Sequence, residues 1–183
     1  MTFSGSTPLI YTPEQRMRRD STVWTVVQGV LAPLQFFVFL VSVVLIVRAL
    51  WWQGDLAWAQ VSVVVKTALL YAIMVTGCIW EKVVFGQYLF AQAFFWEDVV
   101  SMGVMVLHTA YLAAWWTQSL APAPLLTLAL AAYFIYFVNA VQFLWKLRQA
   151  RRQGPASTDT PSLAVSPPQR GQVGPISQIG QVS

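Results

Sequence analysis

Charge is scarce in this chain of 183 residues, where Asp, Glu, Lys and Arg make up 10% of the sequence. A typical soluble domain carries roughly 25% charged residues. Hydrophobic residues make up 57%, with nine Trp and eleven Phe among them. The composition therefore excludes an ordinary soluble domain and predicts a protein that crosses a membrane several times. Between Trp24 and Trp145 the charged residues are Arg48, Asp55, Lys66, Glu81, Lys82, Glu97 and Asp98.

Cysteine and histidine are almost absent, with one residue of each, Cys78 and His108. One cysteine excludes an intramolecular disulfide and a multi-thiolate metal site, and one histidine cannot provide both axial ligands of a haem. The chain also lacks a CxxC pair, a glycine-rich phosphate loop, GxSxG and HExxH. We therefore predict no metal site of its own. The net charge of +4 indicates membrane topology and anionic lipid rather than nucleic acid.

Four apolar segments each reach the roughly 20 residues that a membrane-spanning helix needs. They cover about residues 24–50, 60–80, 94–116 and 124–146. We predict an all-α polytopic membrane protein, a bundle of four transmembrane helices with both termini in the cytoplasm. Its three parts are a polar N-terminal cytoplasmic segment (1–23), the transmembrane domain (24–147) and a tail (148–183) that is first basic and then disordered, because it lacks large apolar residues.

Basic residues decide the orientation of this bundle. They lie before the first span, between the second and third, and after the fourth, whereas the opposite connections carry few. The positive-inside rule then places both termini and the connection from Glu81 to Asp98 in the cytoplasm. On the far side, we expect Lys66 to extend its ammonium group to the membrane interface. The cytoplasmic residues are Arg16, Arg18, Arg19, Lys82, Lys146, Arg148, Arg151 and Arg152.

Each span carries a stripe of polar or small residues at helical spacing. In the third span, Glu97, Ser101, His108 and Tyr111 share one face, and Asp98 lies about 100° from it. A bundle that turns all four stripes inward has a semi-polar interior and apolar sides towards lipid. The other stripes are Gln28, Gln35 and Ser42 in the first span, Leu70, Met74, Gly77 and Glu81 in the second, and Tyr136, Asn139, Gln142 and Lys146 in the fourth.

Three carboxyl groups, those of Glu81, Glu97 and Asp98, lie at the inner ends of the second and third spans. An ionised carboxylate that faces hydrocarbon is costly, so such groups pair, become protonated or do chemistry. The alternative is an interfacial role at helix ends, which the helix dipole favours for acids at the start of the third span. For His108, the alternative to ligand binding is an interhelical hydrogen bond. A small proton-coupled transporter is a further alternative for the whole chain, although the acid of such a protein lies well inside a span.

Four segments of the sequence carry a resemblance, with WEKVVFG and FFWEDV as its most specific motifs. They run from Tyr11 to Leu50, Tyr71 to Met102, Leu107 to Leu112 and Ala131 to Arg151. These segments resemble the 3-vinyl (2-vinyl in older naming) bacteriochlorophyllide hydratases of phototrophic bacteria. The resemblance implies a hydro-lyase of bacteriochlorophyll biosynthesis that adds water to the C3 vinyl group of a chlorophyllide or bacteriochlorophyllide and produces a 1-hydroxyethyl group.

The resemblance also implies a setting for this activity. No cofactor is expected, because the magnesium belongs to the chlorin substrate. The expected location is the bacterial inner membrane, cytoplasmic or intracytoplasmic photosynthetic, with the bilayer and other bacteriochlorophyll-synthesis enzymes as partners. The alternative function is a non-catalytic tetrapyrrole-binding or photosynthetic-membrane assembly protein.

Hydration of a vinyl group requires protonation of its terminal carbon, after which water attacks the carbon attached to the macrocycle. The protein must supply a general acid and a negative charge near the cation. We predict that Glu97, Asp98 and Glu81 are catalytic. If Glu97 is the acid, His108 cannot bind the substrate magnesium, because the two are eleven residues, about 16 Å, apart along one helix. The predicted substrate-binding residues are His108, Ser101, Tyr111 and Lys82.

The predicted orientation can be tested by cysteine accessibility in a Cys78→Ala background. A cysteine in place of Gln87 should react with an impermeant reagent only from the cytoplasm. Cysteines in place of Gly54 and Ala123 should react only from the other side, because they lie in the connections with little positive charge. Labelling of position 87 from the periplasm would overturn the orientation and move the acids to the wrong membrane face.

Overall fold

The computed structural model describes residues 10–152, and within them every regular element is a helix. The last four of these helices are each long and apolar enough to cross a membrane. The predicted all-α fold with four spans is therefore confirmed. The predicted disorder of the tail concerns residues outside the described range. The helices are α1 (Pro13–Ser21), α2 (Val23–Trp51), α3 (Leu56–Phe85), α4 (Phe95–Trp116) and α5 (Pro122–Arg152).

Polar caps and proline extend the helices beyond the apolar spans. Asp55 precedes α3, and its Oδ1 accepts a hydrogen bond from the N–H of Ala57 at 2.8 Å. Helix α5 begins two residues before the predicted span, at Pro122, since proline is well suited to a first turn. The short helix α1 was not predicted because it is polar. It begins with a capping box in which the N–H of Thr12 donates to Oε1 of Gln15 at 2.9 Å.

The bundle consists of two helical hairpins. Helix α2 packs along α3 and α4 packs along α5, whereas the two hairpins contact each other less extensively. We call the boundary between them the seam. Phe39 and Lys66 line it from the first hairpin, and His108, Tyr133 and Tyr136 line it from the second. Phe39 lies 5.4 Å from Tyr133 and 5.1 Å from Tyr136 between ring centroids.

The polar faces turn inward as the helical periodicity predicted. On α4, the buried residues include Glu97, Ser101, His108 and Tyr111. Across from them on α5, the Nδ2 of Asn139 donates to Oγ of Ser101 at 2.8 Å. Many large aliphatic and aromatic side chains are exposed, which is the arrangement expected of surfaces that face lipid.

The prediction for Lys66 was wrong. Its side chain is fully buried, and Nζ lies 3.5 Å from the ring centroid of Tyr136 in the seam. The error came from the span boundary, since α3 begins at Leu56 rather than near residue 60. Lys66 is therefore ten residues, about 15 Å, from the start of the helix, and its side chain turns into the seam.

The ends of the described chain meet at one end of the bundle. Ile10 and Tyr11 are buried together with Ala150 near the end of α5 and with Val84 and Phe94. This end also holds Glu81, Glu97 and Asp98, so we call it the acid end. An even number of spans requires both ends of the domain to lie on the same side of a membrane, and this contact agrees with that requirement.

Helix α3 is capped by Gly86, whose φ of +86° is a left-handed conformation that favours glycine. We expect Gly86→Ala to lower the free energy of unfolding by about 1 kcal/mol, because a Cβ is strained at this φ. Gly29→Ala is the matched control, since an added Cβ in α2 meets no atom within 4 Å. It should leave stability unchanged or raise it. Equal losses in the two variants, measured by denaturant titration in detergent, would contradict this explanation.

Candidate functional site

The loop of residues 86–94 donates backbone hydrogen bonds to carboxyl groups of the acid end. Phe90 has a φ of +60°, a region that bulky residues rarely occupy. In this conformation its N–H donates to Oδ2 of Asp98 at 2.8 Å, and the N–H of Ala91 donates to Oε2 of Glu81 at 3.4 Å. Strain of this kind persists only where surrounding contacts maintain it, and it is common at functional sites.

Glu81 of α3 and Asp98 of α4 lie within hydrogen-bonding distance of each other. Two ionised carboxylates can only accept hydrogen bonds, so a bond between them requires one proton. Both groups are shielded from water, with 6% of Glu81 and 4% of Asp98 exposed. Two negative charges this close in such surroundings would repel each other strongly. The arrangement is therefore a carboxyl–carboxylate pair.

The surroundings of the pair favour the proton on Glu81. Asp98 lies in the first turn of α4, where the helix dipole stabilises a negative charge, and it accepts the shorter amide hydrogen bond. Glu81 lies in the last turns of α3, where the dipole disfavours a negative charge, and its amide contact is longer. The pair thus contains a proton donor beside an anion.

Glu97 has a different partner from its neighbour Asp98. Its carboxylate forms an ion pair with Lys146 of α5, with Nζ 3.2 Å from Oε1 and 3.4 Å from Oε2. This separation of the two acids follows from the 100° between consecutive residues of a helix. A carboxylate that is neutralised by a lysine is a poor proton donor, so the geometry favours Glu81 over Glu97 as the acid.

An aromatic wall adjoins the carboxyl pair, and Phe94 is at its centre. The ring of Phe94 lies 5.8 Å from both Trp80 and Phe85, 6.0 Å from Phe143 and 6.2 Å from Tyr11 between centroids. Phe94 is also next to the pair in the chain, since its carbonyl accepts the N–H of Asp98 at 3.0 Å. Aromatic faces attract positive charge, so the wall and the anion of the pair together suit a cation.

Tyr11 covers the wall from the side of the chain terminus. Its ring stacks on Phe85 at 5.7 Å, and the guanidinium of Arg19 lies 4.9 Å from its centroid. Burial raises the pKa of Tyr11 to about 12, although the positive charge of Arg19 acts in the opposite direction. The phenol therefore stays protonated at physiological pH, and no further negative charge is added beside Glu81.

The predicted substrate-binding residues do not all come together. Ser101 lies one turn from Asp98, while Lys82 is exposed and donates to the carbonyl of Gly86 at 2.9 Å. His108 and Tyr111 lie in the interior, ten and thirteen residues beyond Asp98. At about 1.5 Å per residue, these separations are about 15 and 20 Å. The structure thus separates the acid end from a second polar region in the seam.

Sequence reasoning missed the aromatic wall. Its members come from four separate segments, and apolar residues in a membrane span are by default expected to face lipid. One signal was present, because Trp80 and Phe85 flank Glu81 within the motif WEKVVFG. Tyr11 gave no comparable signal, since it lies in the polar segment before the first span.

Comparisons with known proteins agree with this site. Residues 11–149 match the family of 2-vinyl bacteriochlorophyllide hydratases. A protein of Rhodobacter capsulatus named 2-vinyl bacteriochlorophyllide hydratase is 59% identical over 157 residues, which cover 85% of this chain and 90% of that protein. A protein of the same name from Cereibacter sphaeroides is 62% identical over 143 residues, covering 78% and 88%. No solved structure matches. The chain therefore belongs to the 2-vinyl bacteriochlorophyllide hydratase family.

Proposed function

We propose that this protein adds water to the C3 vinyl group of a chlorophyllide or bacteriochlorophyllide and produces the 1-hydroxyethyl group. Family membership supports the reaction, and the names of the two similar proteins support the substrate class. The carboxyl pair of Glu81 and Asp98 is the observation that carries the proposal, because it combines a proton donor and an anion beside an aromatic wall.

The first step is proton transfer from Glu81 to the terminal carbon of the vinyl group. The C=C π bond breaks and a C–H bond forms, which leaves a positive charge on the carbon attached to the macrocycle. Conjugation with the macrocycle spreads this charge. The carboxylate of Asp98 and the aromatic wall stabilise it further, since oriented charges count for more in a site that excludes water.

The second step is attack of water on the cationic carbon, which forms the C–O bond. Asp98 accepts the proton that the water loses, so the overall reaction adds H and OH and consumes no other reactant. The proton then returns to Glu81 through the hydrogen bond between the two carboxyl groups. The pair is restored without exchange with bulk solvent, consistent with the burial of both groups.

The remaining predicted residues have supporting roles in this proposal. Lys146 holds the carboxylate of Glu97 and keeps its charge balanced, and Ser101, bonded to Asn139, lies on the path between the pair and the interior. Lys82 lies at the rim of the acid end. The reaction requires no redox cofactor, and the magnesium is part of the substrate.

The proposed location is the cytoplasmic or intracytoplasmic photosynthetic membrane, with the acid end at the cytoplasmic face. Other enzymes of bacteriochlorophyll synthesis would then receive the product from the same membrane. A flat apolar substrate reaches the bundle through the bilayer, while water reaches the pair from the aqueous side.

The reaction can be tested with membranes that contain this protein and no other enzyme of the pathway. Incubation with 3-vinyl chlorophyllide should produce a pigment heavier by one water, separated by chromatography and identified by mass. No nucleotide or reductant should be needed, because the addition of water is redox-neutral.

Two outcomes would contradict the proposal. Pigment that binds with unchanged mass would indicate a carrier or assembly protein, and strict dependence on a nucleotide or an electron donor would exclude the mechanism. Membranes with the Glu81→Gln variant at equal protein level are the control for spontaneous hydration.

The carboxyl pair predicts a specific pattern among amide variants. Glu81→Gln and Asp98→Asn should each lower kcat by roughly 10² or more, the usual scale for loss of a positioned acid or base. The double variant should lose little more than the worse single variant, because the two groups act as a unit. Glu97→Gln should lower kcat less than either, since Lys146 already neutralises that carboxylate.

The amount of folded protein in the membrane is the necessary control for these rates. If Glu97→Gln were the most damaging of the three at equal protein level, Glu97 rather than Glu81 would be the acid. Additive losses in the double variant would show that Glu81 and Asp98 act separately.

A further inference from the structure

Lys66 has a buried amino group that the fold leaves without a hydrogen bond. Its side chain has no exposed surface, and among residues 10–152 Nζ has no acceptor. Nζ lies over the face of the Tyr136 ring, 3.5 Å from its centroid. A cation–π contact offsets part of the cost of burying an ammonium group, but it leaves the N–H donors unused. Unused donors at this depth indicate a site for an acceptor.

Further polar atoms without a partner lie near Lys66. Within the described part of the chain, Nε2 of His108 and Oη of Tyr111 are also buried and unbonded. Tyr111 lies one turn from His108 on α4. The ring of His108 stacks on Tyr133 at 5.6 Å, and Tyr133 lies one turn from Tyr136, the ring that Lys66 contacts. The polar atoms therefore form one cluster rather than isolated defects.

The cluster lies in the seam, where the two hairpins pack less extensively than the helices within each hairpin. Lys66 comes from the first hairpin, and His108 and Tyr111 come from the second. A flat molecule that enters between the hairpins would meet donors from both sides. Such a molecule would also have the carboxyl pair at one edge, because Glu81 and Asp98 come from the same two hairpins.

We propose that Lys66 and Tyr111 form a second recognition site, which donates hydrogen bonds to an oxygen on the edge of the macrocycle opposite the vinyl group. The inference rests on the proposed function, since the carboxyl pair fixes the position of the vinyl edge. Two oxygens of this substrate class have the required chemistry, the ketone of the fifth ring and the carboxylate side chain. His108 lines the site between these donors and the acid end.

Distances along the helices fit this orientation. Lys66 and Glu81 are fifteen residues apart on α3, about 22 Å, and Tyr111 is about 20 Å from Asp98 on α4. The side chains of Glu81 and Tyr111 both lean towards the middle of this interval and that of Lys66 leans out of it, because a Cα–Cβ bond tilts towards the N-terminus of its helix. The interval along the helices is comparable to the length of a chlorin with its substituents. His108 at the magnesium would instead leave the vinyl group short of the carboxyl pair.

Lys66→Met tests the site, because methionine keeps the length and volume of the side chain and removes the N–H donors. We expect the dissociation constant for the vinyl pigment to rise about tenfold or more, the scale for one hydrogen bond from a charged donor. The temperature of unfolding in detergent should rise, since the variant no longer buries an ammonium group. A purely structural lysine would show the reverse, a lower unfolding temperature with unchanged affinity. Tyr111→Phe should weaken binding in the same direction.

Two matched controls lie on exposed surfaces, away from the buried cluster of Lys66, His108 and Tyr111. Arg48→Met removes a cation from the exposed surface of α2, and Tyr71→Phe removes a hydroxyl group that bonds to Thr109 at 2.6 Å on an exposed part of α3. Both should leave the affinity and the turnover unchanged. If they weaken binding as much as Lys66→Met, the effect is general and the second recognition site is excluded.

Two pigment analogues identify the oxygen, one with the ketone reduced to a methylene group and one with the carboxylate side chain replaced by an alkyl group. The analogue that lacks the recognised oxygen should bind the wild type and Lys66→Met equally, while the other analogue should still distinguish them. If the difference in affinity between the wild type and Lys66→Met disappears with one analogue, the result supports the site and identifies the oxygen that it binds. If both analogues remain equally sensitive to Lys66→Met, the site does not bind an edge oxygen.

Binding is measured by the absorption change of the pigment, separately from turnover. If the wild type binds pigment more tightly than Lys66→Met but forms no hydroxyethyl product, the proposed hydration is wrong and the proposed recognition site still stands. Normal hydration together with unchanged affinity in Lys66→Met would overturn the recognition site alone.

Discussion

The hydrogen bond between Glu81 and Asp98 joins the end of α3 to the start of α4, and the acid end is organised around it. Without a proton between them, two buried carboxylates in contact would repel each other, and the chain could not hold both helices in this arrangement. The left-handed Phe90 and the amide of Ala91 add donors that no side chain provides. The strained loop thus supports a pair of carboxyl groups of which one is protonated and the other is ionised.

Helical periodicity was sufficient to predict the spans and the faces that turn inward, because both depend on the sequence of a single helix. It could not predict which polar groups meet. Glu97 and Asp98 are adjacent in the sequence, but Glu97 pairs with Lys146 and Asp98 pairs with Glu81. The rotation of α4 relative to its two neighbouring helices determines these partners. The error at Lys66 has a different source, the boundary of its span, because α3 begins at Leu56 rather than near residue 60.

The two kinds of helix contact in the bundle have different consequences for binding. In a bilayer, helices associate through close packing rather than through the hydrophobic effect, so the extensive contacts within each hairpin make it a stable unit. The seam between hairpins has less packing and contains unpaired polar groups on Lys66, His108 and Tyr111. A site that accepts a flat apolar ring from the membrane requires this combination, since a fully packed interface would exclude the ring.

The separation of the two polar regions also matters for the charge that develops during hydration. A protonated Lys66 would oppose a cation on the substrate. At an effective dielectric constant of about 20, two like unit charges 4 Å apart repel each other by about 4 kcal/mol. At about 22 Å, the distance from Lys66 to Glu81 along α3, the same interaction falls to about 0.8 kcal/mol. Lys146, which is much nearer the pair, is neutralised by Glu97. The bundle can therefore hold one edge of a substrate with a cation while the anion at Asp98 remains the dominant charge at the other.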